Sequence, residues 1–129
     1  PAQSTIEGCS DEARGILSMD NCIAITGTDQ NASEGILAAN ANLNVLGSDP
    51  ENGDVIGAGF DAGSITIAAV QDGTFFGAVT PAFEKLGYYE IYALTAAANG
   101  QDVEDVSVKG LWYDAANMDN EEISPNLYW

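Results

Sequence analysis

Residues 54–87, DVIGAGFDAGSITIAAVQDGTFFGAVTPAFEKLG, restrict the possible folds more than any other stretch of this chain. Two apolar, strand-like runs lie in it, at 55–60 and 75–80. Each stops at polar or turn-forming residues: Asp61-Ala62-Gly63 after the first, Thr80-Pro81 after the second. A helix-like segment opens after each run. Strand followed by helix, repeated, is the pattern of a parallel α/β sheet. Open sheets of that kind meet ligands beyond the carboxyl ends of their strands. Asp61 and Thr80 are therefore the first candidates for contact with a small molecule.

The remaining segments extend the alternation. Ser10 or Asp11 is placed to cap a short helix over 12–19, with Ile16 and Leu17 facing inward. A brief strand at 22–26, a polar link at 28–31, a helix over 33–39 and a strand at 43–46 follow. The breaker cluster GSDPENG comes next. Residues 64–70 read either way, because Ile65 and Ile67 alternate like a strand while Ala68-Ala69 favours helix. Asp72-Gly73 marks a turn. Residues 82–98 form the clearest helix, with Phe83, Leu86, Ala93, Leu94 and Ala97 as its apolar face and Gly100 as a C-terminal cap. Residues 106–113 read as a last strand with Val106 and Val108 on one face, and 114–129 as a polar tail with aromatic anchors.

One link conflicts with a parallel sheet. Parallel neighbours need a crossover of about a dozen residues or more, yet only residues 47–54 separate the strand at 43–46 from Val55. Either the two strands pair antiparallel, or they are not neighbours, or a helix is missing between them.

Charge and residue content narrow the function. The 129 residues suit one domain with a modest core, and 20 acidic against 3 basic side chains give a formal net charge of −17. Such a surface repels phosphate backbones and anionic lipid headgroups, which argues against nucleic-acid or peripheral membrane binding. There is no histidine, so the commonest general base and the Ser-His and Cys-His nucleophile pairs are excluded. Glu121 and Glu122 lie in the polar tail, so an enzyme is not expected. Cys9 and Cys22 suit either a disulfide or two small buried side chains, and without histidine they make no complete zinc site. Asp49 and Glu51 miss the spacing of a calcium loop. Asn31-Ala32-Ser33 matches a glycosylation acceptor, a pattern short enough to arise by chance. No run approaches the about 20 apolar residues of a membrane span. No cofactor is implied.

The series IGAGFDAG, QDGTFFGAVT, EKLGYYEIYALTAAANGQ and WYDAANMDNEEISPNLY resembles the C-terminal half of bacterial periplasmic sugar-binding proteins, the type I substrate-binding components of ABC transporters. The likeness covers residues 54–128 and reaches more weakly back to SDEARG and ILAANANLNVLGSDPENG. It implies an α/β fold in which residues 1–129 are a single Rossmann-like lobe, a mostly parallel sheet flanked by helices, with 114–129 as its tail. It also implies a monosaccharide-like ligand held between two lobes, an ABC permease as membrane partner, and a place in the periplasm or at the extracellular face of the membrane, lipoproteins included. The N-terminal lobe of that family has no counterpart here.

By position, the resemblance makes Arg14 a donor of paired hydrogen bonds to sugar hydroxyls and Asp61 an acceptor from them. A guanidinium fork and a carboxylate both suit vicinal diols. Asp49 falls near an Asn-Asp ligand position, with the register uncertain by a residue. Pro81 stands where the family has a polar Gln or Asn, leaving Thr80 as a weak substitute. The plainer alternatives are a salt bridge from Arg14 to Asp11 or Glu12, and capping of the next segment by Asp61. Trp112, Tyr113, Tyr128 and Trp129 suit sugar stacking or, more simply, docking of the tail. Two other classes share this fold pattern: the effector-binding domain of a transcription regulator, and a structural fragment that oligomerises without binding ligand.

Overall fold

The computed structural model describes residues 5–128. In chain order the elements are α1 (Ile6–Leu17), β1 (Ala24–Thr26), α2 (Gln30–Leu43), β2 (Leu46–Gly47), a 3₁₀ turn (Pro50–Asn52), β3 (Val55–Phe60), α3 (Ser64–Gln71), β4 (Gly77–Pro81), α4 (Phe83–Ala98), β5 (Gly110–Tyr113) and a second 3₁₀ turn (Ser124–Asn126). The sheet runs β1-β3-β4-β5, with β2 also on β3. β1, β2 and β4 pair with β3 in parallel, and β5 lies antiparallel on β4. The architecture is the expected α/β lobe with a mostly parallel sheet.

Residues 64–71, readable as strand or helix, are helix. Their side chains explain the choice: Thr66, Ile67, Ala69 and Val70 are all buried, a spacing that gives one helical face and cannot give one strand face. α1 begins earlier than expected because Thr5, not Ser10 or Asp11, is its cap, accepting from the Gly8 N–H at 3.1 Å. Its Leu17 is buried as expected, but Ile16 is exposed. α2 is longer at both ends. Asp29 caps it by accepting from the Ala32 N–H, and Asn44 ends it in the left-handed conformation, so Leu43 is helical rather than the start of a strand.

The short link before β3 resolves in a way none of the three alternatives foresaw. β2 and β3 are parallel neighbours, paired Leu46 with Val55 and Gly47 with Ile56, and only residues 48–54 with their single 3₁₀ turn join them. The usual crossover is long because it must climb back the full length of a strand. Here β2 has two residues, so the return path is about 7 Å at roughly 3.3 Å per residue, and a loop covers it.

One sheet face carries Val55, Gly57 and Gly59 of β3, Ala78 and Thr80 of β4, and Tyr113 of β5. It packs on Ala13 and Leu17 of α1, Ile36 and Ala39 of α2, and Ile67 and Val70 of α3. Phe75, fully buried, lies over Gly57, where an added Cβ would sit 2.6 Å from its ring. The glycine is thus the space that the ring fills. The tail completes the core through Met118, Ile123 and Leu127. The other face, with Ile56, Ala58, Phe60 and Val79, is only half-buried.

Two expectations fail on that side. The strand begins at Gly110 rather than 106, and residues 101–109 carry no helix or strand. The apolar face of α4 is not buried: Phe83, Leu86 and Leu94 are exposed, and Ala96 is the helix's only buried residue. The antiparallel β5 supplies the reason. Its first residue, Gly110, pairs with Pro81 at the end of β4. The chain leaves and re-enters the sheet at the same end, so nothing obliges α4 to run back along it as a parallel crossover would.

Candidate functional site

The carboxyl ends of β1 and β3 meet the first turn of α2, and a polar corner forms there. Asp61 directly follows β3 with φ 70°, in the left-handed region that aspartate tolerates better than most residues. Its own N–H still donates to the Val79 carbonyl at 2.8 Å, which continues the ladder to β4. Its carbonyl accepts from the Tyr113 phenol at 2.8 Å. The backbone is therefore held from both sides, and the carboxylate is turned toward α2.

That carboxylate accepts from the Gln30 N–H, the first amide of α2. Asp29 accepts at 2.8 Å from the Ala32 N–H in the same turn. Two carboxylates thus share one helix N-terminus, whose partial positive charge offsets part of their repulsion. The offset is incomplete. Burial pushes the Asp61 carboxyl above its ordinary 3.8, the Gln30 amide pulls it down, and the charge of Asp29 pushes it up again. Capping of α3 does not use Asp61, since the N-cap of that helix is Gly63 and no side chain caps it.

Gln30 connects the corner to its rim. Its Nε2 donates to Glu34 Oε1 at 2.8 Å, and its Oε1 accepts from the Tyr128 phenol at 3.1 Å. Ser33 pins the corner underneath: its hydroxyl accepts from the Phe60 N–H at 2.8 Å and donates to the Asp29 carbonyl at 2.8 Å. Phe83 and Tyr128 stand edge to face at 5.7 Å beside it. Tyr113 is fully buried, and desolvation drives its phenol far above the ordinary 10.0, with Tyr128 and Asp61 adding to the effect. The Tyr128 phenol is raised as well, first by burial, then by Asp61 and Glu34, against a lowering hydrogen bond from Ala62. Both stay protonated and can donate.

Of the four residues expected from sequence, Asp61 alone brings its side chain to this corner. Thr80, at the end of β4, is fully buried, and its hydroxyl donates to the Asn126 carbonyl at 3.2 Å. Arg14 is exposed in the last turn of α1, and α1 leads into the starting end of β1, away from Asp61. Asp49 also lies at the starting end of the sheet, where it accepts from the Asn52 N–H and its own N–H donates to Asp54. The structure does not bring Arg14 or Asp49 to Asp61.

Asp29 and Gln30, not Asp49, lie beside Asp61. The sequence carried a signal for them: GTDQ follows the AIT run, an acid shortly after a strand end, as with Asp61. A groove of about 450 Å³ lies elsewhere, between α2 and α3, lined by Leu37, Asn40, Ile65, Ala69 and Asp72. Cys9 and Cys22 are free thiols, the first buried. Among the described residues no helix is long and apolar enough to cross a membrane.

No family model and no curated relative matches the chain. Solved structures do. A solute-binding protein of an ABC transporter from Agrobacterium vitis, with bound D-fucose, is similar with a TM-score of 0.85 and 19% identity over 98% of this chain. A Brachyspira murdochii protein described as an ABC transporter, LacI family transcriptional regulator, is similar at 0.86 and 24% over 100%. A carbohydrate transporter solute-binding protein from Agrobacterium radiobacter, in complex with D-arabinose, is similar at 0.82 and 19% over 98%. This chain spans 42% of the length of each. The likeness shows the fold: a lobe of the type I periplasmic binding protein architecture.

Proposed function

We propose that this chain is the sugar-binding lobe of an ABC-importer solute-binding protein, and that it holds a neutral monosaccharide at the carboxyl ends of β1 and β3. The observation that carries the reading is Asp61. It is a partly desolvated carboxylate on a left-handed backbone, at the end of the central strand, facing α2. A carboxylate in that setting accepts from two vicinal hydroxyls, and such charge-assisted bonds strengthen once water is excluded. Asp29 and the Gln30 amide flank it, and Phe83 beside the corner offers an aromatic edge to the apolar side of a sugar ring. The solved structures with D-fucose and D-arabinose support a neutral monosaccharide.

With Asp29, Glu34 and Asp61 all acting on this corner, an acidic sugar is disfavoured. In the importer a second lobe supplies the facing contacts, hinge closure buries the sugar, and the closed form docks on a membrane permease outside the cytoplasm. One lobe alone binds weakly. An amide-resolved titration of this chain with D-fucose, D-arabinose and D-galacturonate tests the reading. The neutral sugars are expected to shift Gln30, Asp61 and Ala62 at millimolar concentration, Asp61→Ala to abolish those shifts, and the uronate to give none. Shifts confined to the α2–α3 groove would reject the site. Micromolar binding would reject the half-site view.

The Brachyspira similarity favours one second reading, an effector-binding domain of a transcription regulator. It predicts the same corner chemistry but a DNA-binding module, not a permease, as the output partner.

A further inference from the structure

The tail passes over the ends of β3 and β4, and it makes there the hydrogen bonds that a ligand would be expected to make. The Tyr128 phenol donates to Gln30 Oε1 at 3.1 Å and accepts from the Ala62 N–H at 3.3 Å. Its backbone N–H donates to the Ala62 carbonyl at 3.2 Å. One turn earlier, the Asn126 carbonyl takes the Thr80 hydroxyl, and Asn126 Oδ1 takes the Glu84 N–H at 3.1 Å. Phenol and sugar hydroxyl are chemically equivalent partners for these groups, since each is one donor and a pair of acceptor sites.

We infer that Tyr128 is an internal competitor for the corner: the C-terminal segment is a strap, and a sugar hydroxyl must displace the Tyr128 phenol from Gln30 and Ala62 to bind beside Asp61. The inference rests on the sugar-binding reading above. The strap has a fixed part and a movable part. Met118, Ile123 and Leu127 are buried in the core, whereas Tyr128 is 41% exposed and held by its phenol, one backbone bond and the edge of Phe83. Rotation after Leu127 therefore frees the corner without unseating the anchors. Because the phenol stays protonated across the neutral range, the competition there does not depend on its titration.

The experiment compares the full chain with Tyr128→Ala and Tyr128→Phe, using D-fucose and D-arabinose as probes, with amide shifts for affinity and hydrogen exchange of the Ala62 amide for strap docking. Tyr128→Ala is expected to bind about tenfold more tightly, the equivalent of two neutral hydrogen bonds that no longer need breaking. Tyr128→Phe, which keeps the ring on Phe83, is expected to fall between it and the unmodified chain. Equal or weaker binding by both variants overturns the inference and makes Tyr128 part of the sugar's own wall. A sugar that binds while the Tyr128 ring keeps its contact with Phe83 also overturns it. If no variant binds either sugar while Ala62 exchanges slowly in the unmodified chain and quickly in Tyr128→Ala, the strap docks but the sugar reading fails, and the competition falls with it.

Discussion

α2 and α4 are the two longest helices, and they stand in opposite relations to the sheet. α2, QNASEGILAANANL, is built mostly of small and polar residues, yet Ser33, Gly35, Ile36, Ala39 and Asn40 are buried. α4, FEKLGYYEIYALTAAA, has phenylalanine, leucines, isoleucine and three tyrosines, yet only Ala96 is buried. Apolar content therefore does not decide which helix is covered. The route of the chain does. α2 joins β1 to β2, both of which run parallel to β3, and must return along the sheet, which presses it onto the core and onto α1. α4 joins β4 to an antiparallel neighbour and is free of that requirement.

The sharpest way to break this comparison is at Ile36, 4% exposed on the core side of α2. Ile36→Ala is expected to destabilise by about 2–5 kcal/mol, the range for emptying a packed aliphatic site. Urea unfolding followed by tryptophan fluorescence measures it. A cost below the scatter of surface substitutions would show that α2 is not the packed helix of the pair.

Gly35 comes next. An added Cβ would lie 2.5 Å from the Cys9 side chain and 2.9 Å from the Ser10 backbone nitrogen on α1. Alanine in a helix gains roughly 0.5–1 kcal/mol over glycine, while overpacking costs about 1–3 kcal/mol. Because backbone is among the atoms in the way, the cost wins, and Gly35→Ala is expected to lower stability by about 1 kcal/mol or more. A stabilised variant would mean that α1 gives way, and that the pair is held less tightly than the close approach implies.

These two helices also show what could be read from sequence. The strand Val55–Phe60, the helical nature of 83–98 and the place of Asp61 at a strand's carboxyl end were legible because each depends on local pattern: apolar period, a cap, a polar residue at a strand end. The exposure of α4 was not, since it follows from the direction of β5, and strand direction is set by pairing rather than by the residues between. The parallel β2 was missed for a related reason. The crossover rule presumes full-length strands, and Leu46–Gly47 is too short to invoke it. That Asp29 and Gln30 rather than Asp49 lie beside Asp61 was not legible, because both loops are acidic and only the fold tells which lies at the carboxyl end of a strand. The occupation of Thr80 by Asn126 joins residues 46 positions apart, beyond any local pattern.

The corner itself gives a smaller, pH-dependent effect. Asp61 has its carboxyl raised above 3.8, first by burial, with Asp29 adding, so between 3.8 and the raised value the folded chain holds more protons than the unfolded one. Stability therefore falls as pH rises through that window and stays lowered above it. Asp61→Asn removes the titration while an amide oxygen still accepts from Gln30. Melting temperatures of both chains from pH 3 to pH 7 should coincide at the acid end and favour the variant at the neutral end. The opposite ordering at neutral pH would show that the α2 N-terminus stabilises the carboxylate more than burial and Asp29 oppose it.

The smallest effect is expected on α4, and it tests the comparison from the other side. Ile91 and Leu94 are each 67% exposed and lie on one helical stripe with Gly87 and Ala98. Truncating them removes little buried area, and alanine is the better helix former by up to about 0.7 kcal/mol. Ile91→Ala and Leu94→Ala should therefore each change stability by no more than about 0.5 kcal/mol, Ile91→Ala in the stabilising direction if either does. A loss comparable with that of Ile36→Ala would mean that the stripe is covered in solution. The half-buried sheet face of Ile56, Ala58, Phe60 and Val79 is the surface to examine in that case, and dependence of the loss on protein concentration separates packing within one chain from packing between two. Without such a loss, α4 is a helix held by its first turn, where Asn126 Oδ1 accepts from the Glu84 N–H and Phe83 meets Tyr128. Its attachment to the lobe then depends on the same tail segment that closes the corner.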